Sequence, residues 1–587
     1  MIPMKRREEL ARSAKRPRGR LLPASLIALA LCCFVAPASA QRFLPDERPG
    51  DQPQLLPPFE EPEALEPVPI LPPYPLLEEK DRGQLSGVRP VEVREIEIEG
   101  NTVVASEVLR DIAKPYEGRA LTFADLENLR DQLTLAYVKR GFATSGASLP
   151  DQTLHDGVLR VQIVEGRLGE IDVDVRGRFR PSYFRSRLAH ANSGVLNVDT
   201  LQQQLQLFLQ NPQITSLEAN LEPSSTRGIS QLKLVVEEAP FYDLAADFDN
   251  YRSPVIGSLG GTARTQLNNL IGVGDAVYAR FTGSEGLRQA EVRFEAPFTV
   301  WDTQIGARSQ YSFGRVVDSN FEALGLESEA LSFAIELAQP LYRTPRTQIA
   351  AEFSAGWRRA QSFLFDGSIG LPTEYSDDGK SQVTVLRFGF DAYHRTRSQS
   401  LAFRTLFSWG IDALGATVNS GKIPDGRFVA WLGQFQWASR LPWFGIQTLL
   451  RADAQLSPDP LLPLEQFAIG GRYTVRGYRE NLLVRDNGFA ASFEVRVPVF
   501  ERFDPAIRIE LAPFADVGRS WNNSRASLID PGGAEWIGSV GIGARVLLTR
   551  FGFAEIYWGH RLKKIRTLAD SDAQDDGIHF RVSVYWP

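Results

Sequence analysis

From residue 241 to the end, the chain is written in segments of about ten residues in which apolar and polar side chains alternate. Residues 489–497 read FAASFEVRV, with Phe489, Ala491, Phe493, Val495 and Val497 on one parity and Ser492, Glu494 and Arg496 on the other. Residues 507–517 behave alike: Ile507, Ile509, Leu511, Ala515 and Val517 oppose Arg508, Glu510 and Asp516. The stretches QIAAEFSAGW, AEVRFEAPF and HFRVSVYW repeat the pattern. A period of two sends successive side chains to opposite faces of a strand. Sixteen such segments follow one another, the first near 241–252 and the last near 577–586. Short links such as IGVG and RLPW alternate with long ones, including 315–328, 361–383, 412–426, 458–487, 519–535 and 562–576. Charge on one face and bare apolar side chains on the other fit lipid outside and water inside. An even strand count closes a barrel, and turns short at one end and long at the other are the asymmetry of outer-membrane barrels. A soluble β-sandwich would alternate too, but sixteen strands with this loop asymmetry and an export signal weigh against it.

The export signal lies in residues 1–40. Eight Lys or Arg between Lys5 and Arg20 precede the apolar run LLPASLIALALCCFVA, and Ala38-Ser39-Ala40 forms a small-residue cleavage site before Gln41. As a membrane anchor the run is short of the ~20 residues a spanning helix needs, and Pro23 and Pro37 bracket it. A lipoprotein site at Cys32 is disfavoured by the bulky Leu31 before it. Removing 1–40, with its eight bases and two acids, takes the formal charge from −6 to 57 minus 69, or −12. That balance suggests no nucleic-acid partner. Both cysteines, Cys32 and Cys33, leave with the signal. The mature chain is thus expected to have no disulfide, thiolate metal site or cysteine nucleophile.

Between signal and barrel lie two further regions. Residues 41–90 hold twelve prolines and many glutamates, which favours an extended spacer over a long helix. Residues 91–240 read as one small α/β unit occurring twice, near 91–167 and 168–240. In the first, VREIEIEGN is a strand and turn, ASEVLRDIA and TFADLENLRDQLTLAYVKRG are helical, and strands follow near 142–148 and at GVLRVQIVEG. Thr122 is placed to cap the second helix and Gly141 to end it. In the second copy LGEIDVDVRG is a strand, 182–190 and 197–210 are helices, and ITSLEANLEP and ISQLKLVVEEA are strands. The order β-α-α-β-β at a spacing near 75 residues marks an internal repeat. The IEIEGN turn and the YVKRGF helix end (Tyr137, Gly141, Phe142) resemble the POTRA domain of outer-membrane assembly and secretion transporters.

One loop breaks the barrel pattern. IGGRYTVRGYREN, residues 469–481, holds three arginines and three glycines, too many glycines for a helix and no clean alternation. Val475-Arg476-Gly477-Tyr478 resembles the loop-six signature of two-partner secretion transporters, the pores of the haemolysin-secretion type, and QFAIGGRYT introduces it. PFADVG, with Phe514, Asp516 and Gly518, is similar to a second signature, and NNLIGVGDAV (268–277) to a turn near the barrel start. The likeness covers roughly 91–587. It implies an outer membrane location with POTRA domains in the periplasm. The implied work is export of one large secreted partner rich in β-helix. POTRA domains would capture its unfolded part by strand addition, and folding outside would drive transit without nucleotide. Outer-membrane lipid is the other expected partner. A factor that inserts other barrels is the alternative, though such members of the superfamily usually carry more POTRA units. A passive porin is third, and the POTRA pair argues against it. Family members often begin with a plug helix; residues 41–90 could hold only a short piece near QRFLPDE, or an extended substitute.

Loop six is expected to fold back into the barrel, with Gly470, Gly471 and Gly477 permitting tight turns. An arginine there needs a carboxylate, since an unpaired buried charge costs about 3–5 kcal/mol. Asp516, on the lumen-facing parity, is the first candidate partner for Arg476; Glu494 and Glu510 share that parity. No enzyme, cofactor or metal site is expected. His155, His190, His394, His560 and His579 are scattered, and GATVNSGKI fails as a P-loop because Ile423 stands where Ser or Thr is needed. The pairs Asp377-Asp378 and Asp575-Asp576 read as solvated loop surface. The glycines of GSVGIGAR (538–545) look like a dinucleotide fingerprint, but alternation runs through them, so they read as barrel glycines.

Overall fold

The computed structural model describes residues 90–421, 423–503, 506–523, 533–548, 551–565 and 571–586. The signal peptide and the Pro-rich segment, up to residue 89, lie outside the described residues, and with them any plug.

Each α/β unit is a three-stranded sheet carrying two helices. In the first, Glu95–Glu99 runs parallel to Val158–Val164, which pairs antiparallel with Gly146–Ser148. Helices Ser106–Ala113 and Phe123–Val138 bury Leu109, Leu129, Leu133 and Tyr137 against Val161 and Ile163. Thr122 caps the longer helix in a reciprocal box: the Asp125 amide donates to Thr122 Oγ1 at 3.2 Å, and the Thr122 amide to Asp125 Oδ2 at 2.9 Å. Two expectations are corrected here. VREIEIEG is not one strand but two, because Val93 pairs with Arg119 while Glu95 pairs with Val158, the chain stepping between ladders at Arg94. The strand expected near 142–148 is only three residues long. In the second unit Ile229–Glu238 is central, parallel to Arg167–Arg176 and antiparallel to Ile214–Pro223. Helices Pro181–Ala191 and Val198–Leu209 close its core around Phe184, Leu188, Leu201 and Leu205.

Sixteen antiparallel strands then close a barrel, the last, Ile578–Trp586, pairing with the first, Tyr242–Asp249. A two-residue strand, Ile369–Gly370, is appended to strand seven (Thr347–Leu364) within a long link. The second α/β unit leads directly into strand one, so the links 344–346 and 396–398 lie at its end of the barrel and 457–486 at the other. Alternation sorts the side chains. On strands twelve (Asn487–Phe503) and thirteen (Ala506–Trp521), Phe489, Phe493, Leu511 and Val517 are exposed on the outside, and Glu494, Glu510 and Asp516 are buried inside. A register shift between Pro498 and Phe500 flips the parity, so Phe500 also faces outward.

The turn between strands two and three docks the second unit. Asp275 accepts the amides of Leu270 and Ile271 at 3.0 Å each and shapes the turn. The Arg180 amide then donates to the Gly272 carbonyl at 2.9 Å, and Gln213 Nε2 to that of Asp275 at 3.0 Å. In the next turn on that side Asp302 receives Arg187 at 2.6 Å and Arg343 at 2.9 Å. A cavity of about 580 Å³ remains between helix 198–209 and the inner wall, lined by Gln204, Phe208, Arg264, Arg280, Glu336 and Arg404 among others.

Candidate functional site

The link 457–486 between strand eleven (Gln447–Leu456) and strand twelve is loop six. A short ladder of Phe467–Ile469 against Leu483–Arg485 makes its distal part a hairpin with 470–482 at the tip. Phe467, Ile469, Val475 and Tyr478 pack with Leu406, Leu432, Ala490 and Ile537 from the inner wall. Such an apolar seat holds a polar loop in place without specifying its angle. Gly477 brings the tip into contact with strand fifteen (Gly552–Arg561). Its φ is +87°, and a Cβ there would lie 2.6 Å from the Gly559 carbonyl oxygen. Only glycine meets both demands. The Gly477 amide donates to Nε2 of His579 at 3.1 Å.

Arg476 lies at the centre. Its Nε and Nη2 donate to the two carboxylate oxygens of Asp516 at 2.8 Å each, a bidentate pair, and its own amide adds a third bond at 2.9 Å. Nη1 bonds Glu494, and Nη2 also reaches Ser492 Oγ at 2.9 Å. Arg476 is 2% exposed and the Asp516 side chain 0%. The guanidinium carbon stands 3.6 Å from the centre of the Phe514 ring, a cation–π contact, and 5.0 Å from that of Tyr557. Phe514 and Tyr557 meet edge to face at 5.9 Å. Glycines make room for both rings: a Cβ on Gly541 would come within 2.6 Å of Phe514, and one on Gly543 would overlap Tyr557. A buried charge with this many partners is positioned in one orientation.

A second anchor holds the base of the loop on another wall. Glu465, buried at the end of a short turn, accepts Arg358 of strand seven at 3.0 Å and Arg387 of strand eight (Lys380–Arg395) at 2.7 Å. Gln455 Nε2 donates to the Glu465 carbonyl at 2.9 Å and to that of Asp486 at 3.1 Å, tying both ends of the loop together. Between the anchors Arg472 reaches Glu555 at 3.1 Å, Arg451 donates to the Tyr473 carbonyl at 2.8 Å, and Arg479 pairs with Asp575. Burial pushes the Asp575 carboxyl up, but the hydrogen bonds from Arg479 and the Asp572 amide prevail and hold it below its ordinary value of 3.8.

The residues named from sequence fall as follows. Val475 lies over Gly518, where an added Cβ would be 3.1 Å from a Val475 methyl. The Tyr478 hydroxyl donates toward the carbonyls of Gly538 (3.0 Å) and Lys563 (2.7 Å). Glu494 shares Arg476 with Asp516 and also accepts Arg496 at 2.7 Å. Glu510 is not a partner of Arg476; it pairs with Arg508 at 2.9 Å and Arg545 at 2.7 Å. It lies six residues along the strand from Asp516, about 20 Å at roughly 3.3 Å per residue. Asp575 is likewise not solvated loop surface but the partner of Arg479. Glu465, and His579 beyond its place among the scattered histidines, are not predicted from the sequence as loop-six partners. The signal for Glu465 was a lone acid just before QFAIGG; for His579 it was the inward parity it shares with Arg581 and Ser583.

Comparison with known proteins agrees in family and fold. The model of the haemolysin secretion/activation protein ShlB/FhaC/HecB matches residues 228–546, and that of the POTRA domain, ShlB-type, residues 91–166. The outer membrane transporter CdiB of Escherichia coli O6:K15:H31 (strain 536 / UPEC) is 24% identical over 416 residues, 68% of this chain and 67% of that protein. The heme/hemopexin transporter protein HuxB of Haemophilus influenzae (strain 86-028NP) is 23% identical over 259 residues, 43% of this chain and 45% of HuxB. The structure of CdiB from Escherichia coli superposes with a TM-score of 0.66 at 20% identity, covering 87% of this chain and 94% of that one.

Proposed function

The chain belongs to the haemolysin secretion/activation protein family ShlB/FhaC/HecB, and from that premise we propose that loop six is the working part of its pore. The protein is an outer-membrane transporter of the two-partner secretion type, with its POTRA region in the periplasm, and it moves a secreted partner protein outward. The family is one of membrane transporters rather than enzymes. The barrel-assembly alternative has less behind it, since both relatives carry transporter names.

Loop six acts as a strap across the lumen, clasped at its tip by Arg476 and tethered at its base by Glu465. The observation that carries this reading is the pair of buried ionic anchors on different walls. A strap of this kind narrows the pore at rest and yields a path when an extended chain enters from the α/β end. Residues 168–240 form a second POTRA domain, and the pair receives the unfolded partner, a large β-helical protein, by strand addition to exposed sheet edges. The cavity beneath helix 198–209 is the entrance to that path.

Two measurements test the reading. Deleting residues 91–240 leaves the barrel in the outer membrane and stops secretion; secretion at normal levels with matched barrel abundance would contradict capture. Glu465→Ala raises ion conductance in planar bilayers as the strap loosens; conductance equal to the parent's would contradict the strap.

A further inference from the structure

On strands thirteen to fifteen the outward face is apolar until it nears the end away from the α/β units. Strand thirteen presents Leu511, Ala515 and Val517 outward, and the next residue of that parity is Arg519, which is exposed. Its cross-strand neighbours are Phe489 and Trp536, the indole being 47% exposed. On the far side of Trp536 the ammonium of Lys563 lies 5.6 Å from the ring centre. Lys563 also bonds Glu535, and exposed Leu562 and Lys564 flank it. Among the described residues no carboxylate pairs with Arg519 or Lys564. At the opposite rim strands fourteen to sixteen end in exposed Leu548, Phe551 and Trp586. Cations therefore gather at one rim of this sector and apolar side chains at the other. Strands four (Leu287–Pro297) and five (Gln304–Arg315) repeat the arrangement, with exposed Arg288 and Arg315 flanking Phe313 at the same rim.

A cation on a lipid-facing position costs little near the interface, about 0–1 kcal/mol, against roughly 2–4 at mid-depth. Here two cations, Arg519 and Lys563, flank one indole near the end of the strands, and exposed Lys564 follows in the chain. Long basic side chains lay their stems on the ring and raise their heads toward the headgroups. The α/β units are periplasmic, so this rim meets the outer leaflet, whose lipid carries phosphate on a sugar and acyl chains below it. We propose that Arg519 and Lys563, on either side of Trp536, together with the adjoining Lys564, bind the phosphate of that glycolipid while Trp536 and Leu562 contact its acyl chains. This rests on the outer-membrane location and not on the strap reading. The site also adjoins loop six: the backbone of Lys563 accepts from the Tyr478 hydroxyl at 2.7 Å and donates back at 3.2 Å. Bound lipid would thus steady the segment against which the loop tip rests.

The test uses the full-length protein in detergent, titrated with diphosphorylated lipid A, dephosphorylated lipid A or inorganic phosphate, with bound lipid counted by native mass spectrometry. The parent protein binds the diphosphorylated form at least tenfold more tightly than the dephosphorylated one, and inorganic phosphate does not displace it. Arg519→Gln and Lys564→Gln each weaken binding about fivefold, and Arg519→Lys restores most of it, which separates loss of charge from loss of fold. Equal binding of both lipid forms, unchanged binding by the glutamine variants, or displacement by inorganic phosphate alone would overturn the proposal.

Discussion

The two anchors of loop six are electrostatic opposites. At the tip the loop carries the cation, Arg476, and the wall carries the acids, Asp516 and Glu494. At the base the loop carries the acid, Glu465, and the wall carries the cations, Arg358 and Arg387. Both sets are buried, and in each one loop charge is shared by two wall charges. They differ in what surrounds the charge. Arg476 has the Phe514 ring at 3.6 Å, a bidentate carboxylate and its own amide bonded to Asp516, so both its position and its backbone angle are determined. Glu465 follows a single turn, and among the described residues its carboxylate is held by the guanidinium groups of Arg358 and Arg387. The tip is therefore read as the fixed end and the base as the end that releases.

The largest expected effect is from Arg476→Ala. It leaves Asp516 and Glu494 facing each other without their shared cation, at a cost of about 3–5 kcal/mol for breaking a buried pair. Secreted partner per barrel falls at least tenfold while barrel abundance, read by immunoblot of outer membranes, stays near the parent's. Arg476→Lys keeps the charge but loses the fork and the planar stacking on Phe514, so secretion falls by a smaller factor, about threefold to tenfold. A lysine variant as poor as alanine would mean that geometry, not charge, fixes the tip.

At the other anchor Glu465→Gln removes the charge but keeps a hydrogen-bonding group for Arg358 and Arg387. If the base is the releasing end, bilayer conductance rises and secretion drops no more than about threefold. A loss equal to that of Arg476→Ala would erase the distinction between the ends. The smallest effect is from Asp575→Asn, which removes the partner of Arg479 beside the tip. Asp575 titrates below 3.8 in the folded chain, so its contribution is complete above the ordinary carboxylate range and is lost as pH falls through the lower folded value. Thermal unfolding of parent and variant should differ modestly at neutral pH and converge once the pH is well below 3.8; a difference persisting there would assign it to packing.

How much of this was legible beforehand follows from what each pattern encodes. A period of two reports which side chains face in, and so the strands, their number and the inner faces of Asp516, Glu494 and Glu510 could be read. It carries no information on height along the barrel, and height is what separates Glu510 from Arg476. Nor does it say which wall a loop residue meets. Arg358 and Arg387 look like any other inward arginines until Glu465, about 80 to 110 residues later, is placed between them. Helix caps were readable because a Thr-x-x-Asp box is local. The break at Arg94 was not, because it depends on Arg119 and Val158, both far along the chain. His579 joins the site through a loop residue packed beside it, the amide of Gly477 at 3.1 Å.

The central claim is that Arg476 and Asp516 act as one unit, and a double-mutant cycle tests it most directly. Secreted partner, normalised to barrel abundance, is measured for Arg476→Ala, Asp516→Ala and the double variant. If the two side chains work only through each other, each single change lowers secretion and the double variant stays within about twofold of the worse single one. Losses that multiply, or singles that secrete like the parent, would contradict the clasp.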